Sequence, residues 1–204
     1  MGKYTVLSQV KKLKRRKKRK KMKVIFLDND GVICLAHNWG SRFKKQKRSI
    51  AETVSDRDLP VEFRFDNFDP KAIKVLNSII EQTDAEIVVS SDWRTWATLE
   101  ELGEFYLSQG IIKKPIALTP LMKDFDDSSF QLFWYKRWLE RIRILEIQEW
   151  LKNNQVDKWV AIDDLNMSPQ FNGGYGLENF VLTPRSTEGI KQSGIKQQIL
   201  GYLK

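Results

Sequence analysis

Val24-Ile25-Phe26-Leu27-Asp28-Asn29-Asp30-Gly31-Val32 runs four apolar residues straight into two carboxylates and a glycine. An apolar run this short, bounded by polar residues, reads as a strand buried on both faces. Side chains alternate along an extended chain, so Asp28 and Asp30 are expected to point one way and Asn29 another. Gly31 frees the chain to turn sharply off the strand end. Two carboxylates over one crevice repel each other unless a cation or a proton lies between them.

The same arrangement recurs twice downstream. Ile87–Val89 is a second short apolar run and leads into Ser90-Ser91, and Trp159–Ile162 is a third and leads into Asp163-Asp164. Glu178–Leu182 reads as a further strand. Helical spacing of apolar residues begins at Asp69 or Pro70 (Ile73, Val75, Leu76, Ile79, Ile80), and another helix passes through Leu99 and Leu102 to about Leu107. Two more cover roughly 137–152 and 187–203. Buried strands alternating with helices predict an α/β fold with a parallel sheet and helices on both faces. Residues 35–66 and 110–135 interrupt the alternation, the latter with the acidic Asp124-Phe125-Asp126-Asp127. No internal repeat is visible. Ligands of such sheets bind beyond the carboxyl ends of the strands, where Asp28, Asp30, Ser90, Ser91, Asp163 and Asp164 all fall. Each strand end alone reads as an ordinary turn or helix cap. The three together, in this order, point to a site, and four carboxylates at one sheet edge call for a metal.

At 204 residues, 41% hydrophobic and 11% aromatic, the chain suits one well-buried domain. No apolar run approaches the roughly 18 residues of a membrane span. The N-terminus does not read as a secretory signal, and Val6 stands where a myristoylation motif has Ser or Thr. The only cysteine, Cys34, excludes an internal disulfide, and with one histidine, His37, it excludes a Cys/His zinc site. The expected setting is intracellular, cytoplasmic or nuclear.

The net charge of +9 is unevenly placed. Twelve basic residues and no acid lie in 1–23, so the other 23 basic residues face all 26 acids and the body sums to about −3. The run through Lys14, Arg15, Arg16, Lys17, Lys18 and Arg19 repels itself too strongly to fold alone. It reads as a disordered arm (1–23) that binds nucleic acid or another polyanion, or that targets the chain; a solubilising tail is the plainer alternative. Met22 is an alternative start.

Leu27-Asp28-Asn29-Asp30-Gly31-Val32, Val88-Val89-Ser90-Ser91 and Ala161-Ile162-Asp163-Asp164 resemble the first, second and fourth motifs of the haloacid dehalogenase (HAD) superfamily. Ser90-Ser91-Asp92-Trp93-Arg94, Glu146-Ile147-Gln148-Glu149-Trp150-Leu151 and Phe180-Val181-Leu182-Thr183-Pro184 resemble the HAD-like domains of Swiss-army-knife RNA-repair proteins. The likeness covers about 24–190. It implies a Rossmann-like three-layer sandwich over 24–204 with a small cap inserted at about 35–66, and a magnesium-dependent phosphomonoesterase. Asp28 would be the nucleophile and a metal ligand. Asp30 would be the general acid and base, its backbone carbonyl also a ligand. Ser90, with the Ser91 amide, would hold a phosphoryl oxygen. Asp163 would ligate Mg²⁺ directly, and Asp164 through water.

The superfamily's third motif, normally a lysine, has no obvious counterpart before Asp163; Arg143 fits best, with Lys136 and Arg141 as alternatives. Arg94 reads as a contact to substrate phosphate or as an ion-pair partner of Asp92 or Glu100. Trp93 and Trp96 read chiefly as packing, with base stacking as the alternative. His37 and Cys34 read as a loop histidine and a buried thiol, with the site entrance as the alternative. Gly173-Gly174-Tyr175-Gly176 is no phosphate-cradling loop, and no Walker sequence supports a kinase. The substrate expected is an RNA or DNA end carrying a terminal phosphate. The alternatives are a small metabolite or nucleotide, or a non-catalytic nucleic-acid-binding protein or scaffold on the same fold.

Overall fold

The computed structural model describes residues 22–49, 57–122, 132–172 and 174–204. The sequence alternation resolves into five parallel strands: β1 (Lys23–Leu27), β2 (Glu86–Val89), β3 (Ala117–Leu118), β4 (Lys158–Asp163) and β5 (Phe180–Leu182). Their order is β3-β2-β1-β4-β5, so the chain winds outward on one side of β1 and then returns to build the other. The reversal lies beside β1, where an open sheet forms its crevice.

Register, more than loop geometry, assembles the strand ends. Leu27 pairs with Val89 on one side and Ile162 on the other. The next residues, Asp28, Ser90 and Asp163, therefore emerge at one level from three adjacent strands, which lie about 4.8 Å apart. The Asp28 amide donates to the Ile162 carbonyl (3.1 Å) and the Ser90 amide to the Leu27 carbonyl (2.9 Å), which extends the ladder into the site.

Two apolar layers cover the sheet. Ile25, Leu27, Ile87, Val89, Val160 and Ile162 face α3 (Pro70–Thr83), α4 (Leu99–Ser108) and α6 (Ile195–Leu203). Val24, Phe26, Val88 and Ala161 face the buried stripe Ile144, Ile147 and Trp150 of α5 (Leu132–Asn153). Helix α3 starts where Asp69 accepts from the Ala72 amide with Pro70 behind it, and stops where Asp84 turns left-handed at φ 54°. A capping box between Thr98 and Glu101 opens α4.

Four boundaries differ from the sequence expectation. The irregular 35–66 contains α1 (Ser41–Ser49) and α2 (Val61–Arg64). The mixed 110–135 contains β3, whose two residues are too few to show a period. Helix α5 begins at Leu132, ahead of 137. The closing segment is split, a 3₁₀ turn at Gly189–Lys191 preceding α6, because Gly194 breaks it with φ 85°. The basic residues Lys14–Arg19 and the acidic 124–127 stretch lie outside the described residues, as does Gly173. Among the described residues, no helix is long and apolar enough to cross a membrane.

Candidate active site

Asp28, Asp163 and Asp164 each offer a carboxylate oxygen, all within 4.8 Å of one another. Asp28 and Asp163 are buried. Burial first, and then the charge of Asp28, pushes the Asp163 carboxyl well up from the usual carboxylate range, and burial likewise raises Asp28. Arg143, with the Ser91 side chain at Asp28, opposes the shift. The donor set is oxygen only, with no imidazole or thiolate in it, and suits a hard divalent cation such as Mg²⁺. The cradle is close-fitting: a Cβ placed on Gly31, which sits at φ 70°, would lie 2.3 Å from Asp164 Oδ2. Only glycine lets the turn after Asp30 pass so near that carboxylate.

Arg143 crosses this cluster from α5. Its Nη1 lies 2.9 Å from Asp28 Oδ1 and 3.0 Å from Asp163 Oδ2, and its Nη2 lies 2.8 Å from Asp92 Oδ1. The structure thus brings beside Asp28 and Asp163 the arginine that best fits the third motif. Arg141 instead holds its guanidinium 5.2 Å from the Tyr175 ring, and the Lys136 side chain lies outside what is described. Spacing explains the selection: Glu140, Arg143 and Glu146 recur every three residues and are all buried, making a polar ridge beside the Ile144-Ile147-Trp150 stripe.

Asp30 stands apart from the three clustered carboxylates and accepts a hydrogen bond from Trp93 Nε1 at 2.7 Å. Burial, followed by the charge of Asp28, raises its carboxyl to about 6, with Trp93 opposing. A carboxyl near 6 both donates and accepts protons near neutral pH. The loop that carries it is pinned by Asn29, whose carbonyl accepts from the amides of Val32, Ile33 and Cys34 and whose Oδ1 accepts from Tyr106 Oη at 2.6 Å. Cys34 is buried behind this loop, its thiol pushed up by burial. His37 lies 3.1 Å from Asp69 at the start of α3, away from the carboxylate cluster.

The Ser90 hydroxyl is buried and has no hydrogen-bond partner among the described residues. Ser91 caps the 3₁₀ turn Asp92–Thr95, its hydroxyl accepting from the Trp93 amide at 3.5 Å. Arg94 is buried too. It pairs through Nη2 with Glu146 and donates from Nη1 to the Ser91 carbonyl at 2.8 Å. Its partner is therefore neither Asp92 nor Glu100. The ion pair ties the Ser90-Ser91 turn to α5, the helix that delivers Arg143. The pairing of Glu146 with Arg94 and the bond from Trp93 to Asp30 are the two supporting contacts that the sequence does not reveal. Only the place of Glu146 is signalled, by its i, i+3 spacing from Arg143.

A cleft of about 500 Å³ opens beside Asp30. Trp39, Arg42, Asp92, Trp93 and Trp96 are among its walls. Trp93 is packed between Phe65 (4.4 Å, nearly parallel) and Phe68 (5.4 Å), whereas Trp39 and Trp96 are about half exposed.

A parallel sheet reversing at β1, with carboxylates at the ends of β1 and β4 and a serine at the end of β2, defines a HAD-type domain. Over residues 24–194 the sequence matches the family described as the HAD domain in Swiss Army Knife RNA repair proteins, and the chain belongs to that family. Its superfamily is one of phosphatases and related hydrolases. Comparison with curated proteins and with solved structures finds no match.

Proposed function

We propose that the protein is a magnesium-dependent phosphomonoester hydrolase working through an aspartyl-phosphate on Asp28, with a terminal phosphate of RNA or DNA as substrate. The observation that carries the reading is Arg143, held 2.9 Å from Asp28 and 3.0 Å from Asp163 at the edge of a three-carboxylate cluster. A buried carboxylate attacks a phosphate dianion only if their repulsion is cancelled, and Arg143 supplies part of that cancellation. A magnesium ion held by Asp28, Asp163 and Asp164 would supply the rest and polarise the phosphoryl oxygens.

The chain's own residues then divide the work. Asp28 attacks phosphorus and the bond to the leaving oxygen breaks, while protonated Asp30 donates its proton to that oxygen. Asp30, now ionised, takes a proton from the water that attacks the aspartyl-phosphate. This releases phosphate and restores both carboxyls. The partnerless Ser90 hydroxyl and the turn at Ser91 are suited to a phosphoryl oxygen. The basic residues of 1–23 would hold the rest of a polyanionic substrate through phosphate contacts.

The test is phosphate release from an aryl phosphate and from oligonucleotides phosphorylated at either end, comparing wild type with Asp28→Asn. Activity that requires Mg²⁺ and Asp28 supports the reading. A folded protein that binds nucleic acid but releases no phosphate overturns it.

A further inference from the structure

Asp30 lies on the wall of the cleft, and this fixes what the cleft is for. If Asp30 protonates the leaving oxygen it must come within about 3 Å of it. Whatever is esterified to that oxygen then extends into the cleft. The inference rests on the phosphatase reading above and asks what chemistry the cleft recognises.

Two tryptophans answer. Trp39 is 51% exposed and Trp96 48%, each on the cleft wall, and neither is packed into the aromatic cluster that buries Trp93. Both stand on fixed backbone. Asp66 accepts from the Gly40 amide (3.0 Å), the Arg42 amide (2.8 Å) and the Ser41 hydroxyl (3.3 Å), pinning the turn that follows Trp39. Arg64 donates to the Trp96 carbonyl at 3.0 Å.

The charges around the cleft argue against a second phosphate there. Arg64 is already committed to the Leu59 and Trp96 carbonyls and to Glu101. Arg42 donates to the Arg64 carbonyl at 3.4 Å and lies over the Phe43 ring. Asp30, Asp66 and Asp92 add negative charge. Arg57 lies over the Trp96 ring at 5.1 Å and takes one face of it. The faces left on Trp39 and Trp96, in a wall whose arginines are offset by acids, suit a neutral, planar group. Base stacking on tryptophan has that character and tolerates any base.

We propose that Trp39 and Trp96 form a stacking subsite for the nucleobase of the leaving group, making the enzyme selective for phosphates esterified to a nucleoside over those of non-aromatic alcohols. The bound unit is the terminal nucleoside, and the chain beyond it leaves the cleft.

The experiment compares kcat/KM of the full chain with Mg²⁺ on glycerol phosphate, nucleoside 3′- and 5′-monophosphates, and a dinucleotide with a terminal phosphate. The wild type is expected to prefer at least one nucleoside phosphate. Trp39→Ala and Trp96→Ala should each cut that preference about five- to a hundredfold, the size of a lost stacking contact. Where phosphate is released, no preference in the wild type, or a preference that neither variant moves, overturns the proposal. Binding of the same monophosphates, followed by tryptophan fluorescence quenching in Asp28→Asn, separates the two readings. A nucleotide Kd, read from the remaining tryptophans, that rises with Trp39→Ala or Trp96→Ala upholds the subsite even if no substrate is turned over. Equal quenching by glycerol phosphate and a nucleotide overturns it.

Discussion

The indole nitrogen of Trp93 donates to Asp30 Oδ2 at 2.7 Å while the same ring lies stacked, 4.4 Å away and within 7° of parallel, on Phe65. One side chain thus connects the proposed acid and base to the segment between β1 and α3. The 3₁₀ turn that carries Trp93 starts at Ser91, so the connection runs through the second strand end as well.

Trp93→Phe keeps a ring against Phe65 and Phe68 and removes only the N–H that holds Asp30. A hydrogen bond to a charged group contributes about 1.5–3 kcal/mol. If that contribution is spent on orienting Asp30, kcat should fall about tenfold or more while circular dichroism stays native. An unchanged kcat would leave Trp93 as packing alone.

The Arg94–Glu146 pair is buried on both sides, so each single truncation strands a charge. Arg94→Met or Glu146→Leu should each cost about 3–5 kcal/mol, and the double variant should recover much of the loss. Urea denaturation of the four proteins checks this. Additive losses would mean that the two side chains stabilise the fold independently.

How far the sequence reveals all this varies from residue to residue. Asp28, Ser90 and Asp163 are legible because each is the first residue after a short apolar run, and parallel register does the rest. Helix α3 is legible from Asp69, Pro70 and its apolar spacing. Strand β3 is not, because Ala117–Leu118 owes its state to pairing with Val88 and Val89 and has no pattern of its own. Helices α1 and α2 are hidden for a different reason. The described part of α1 packs largely through polar groups, such as Lys45 Nζ on the Phe65 carbonyl (2.9 Å) and Gln46 on the Phe63 carbonyl (2.8 Å), and such contacts leave no hydrophobic period. Arg94 shows the limit for side chains. Its sequence neighbours offer Asp92 and Glu100, whereas its partner comes from α5, 52 residues away.

The three-carboxylate cluster predicts a metal-dependent stability. Mg²⁺ at a hundred times its dissociation constant should add about 2.7 kcal/mol to unfolding, visible as a higher Tm that chelation reverses. Asp163→Asn should abolish the Mg²⁺-dependent shift, and Gly31→Ala should weaken it by displacing Asp164. An equal Mg²⁺ shift in wild type and Asp163→Asn would place the ion elsewhere.

Asp69 predicts a pH dependence separate from the site. Burial raises its carboxyl, but the Ala72 amide (2.8 Å), Lys191 (3.1 Å) and His37 (3.1 Å) lower it more, so it ends below the ordinary 3.8. A carboxyl depressed in the folded state stabilises above its unfolded pKa and loses that contribution as pH falls through the folded value. Asp69→Ala removes both the cap of α3 and the two charge contacts. It should cost about 1 kcal/mol at neutral pH. The gap to wild type should narrow as pH falls below the ordinary 3.8, where the unfolded chain protonates first, and close as pH passes the lower folded value. Urea midpoints of both proteins on either side of that pH decide the matter, because a gap that stays constant would assign the loss to packing and not to the ionised cap.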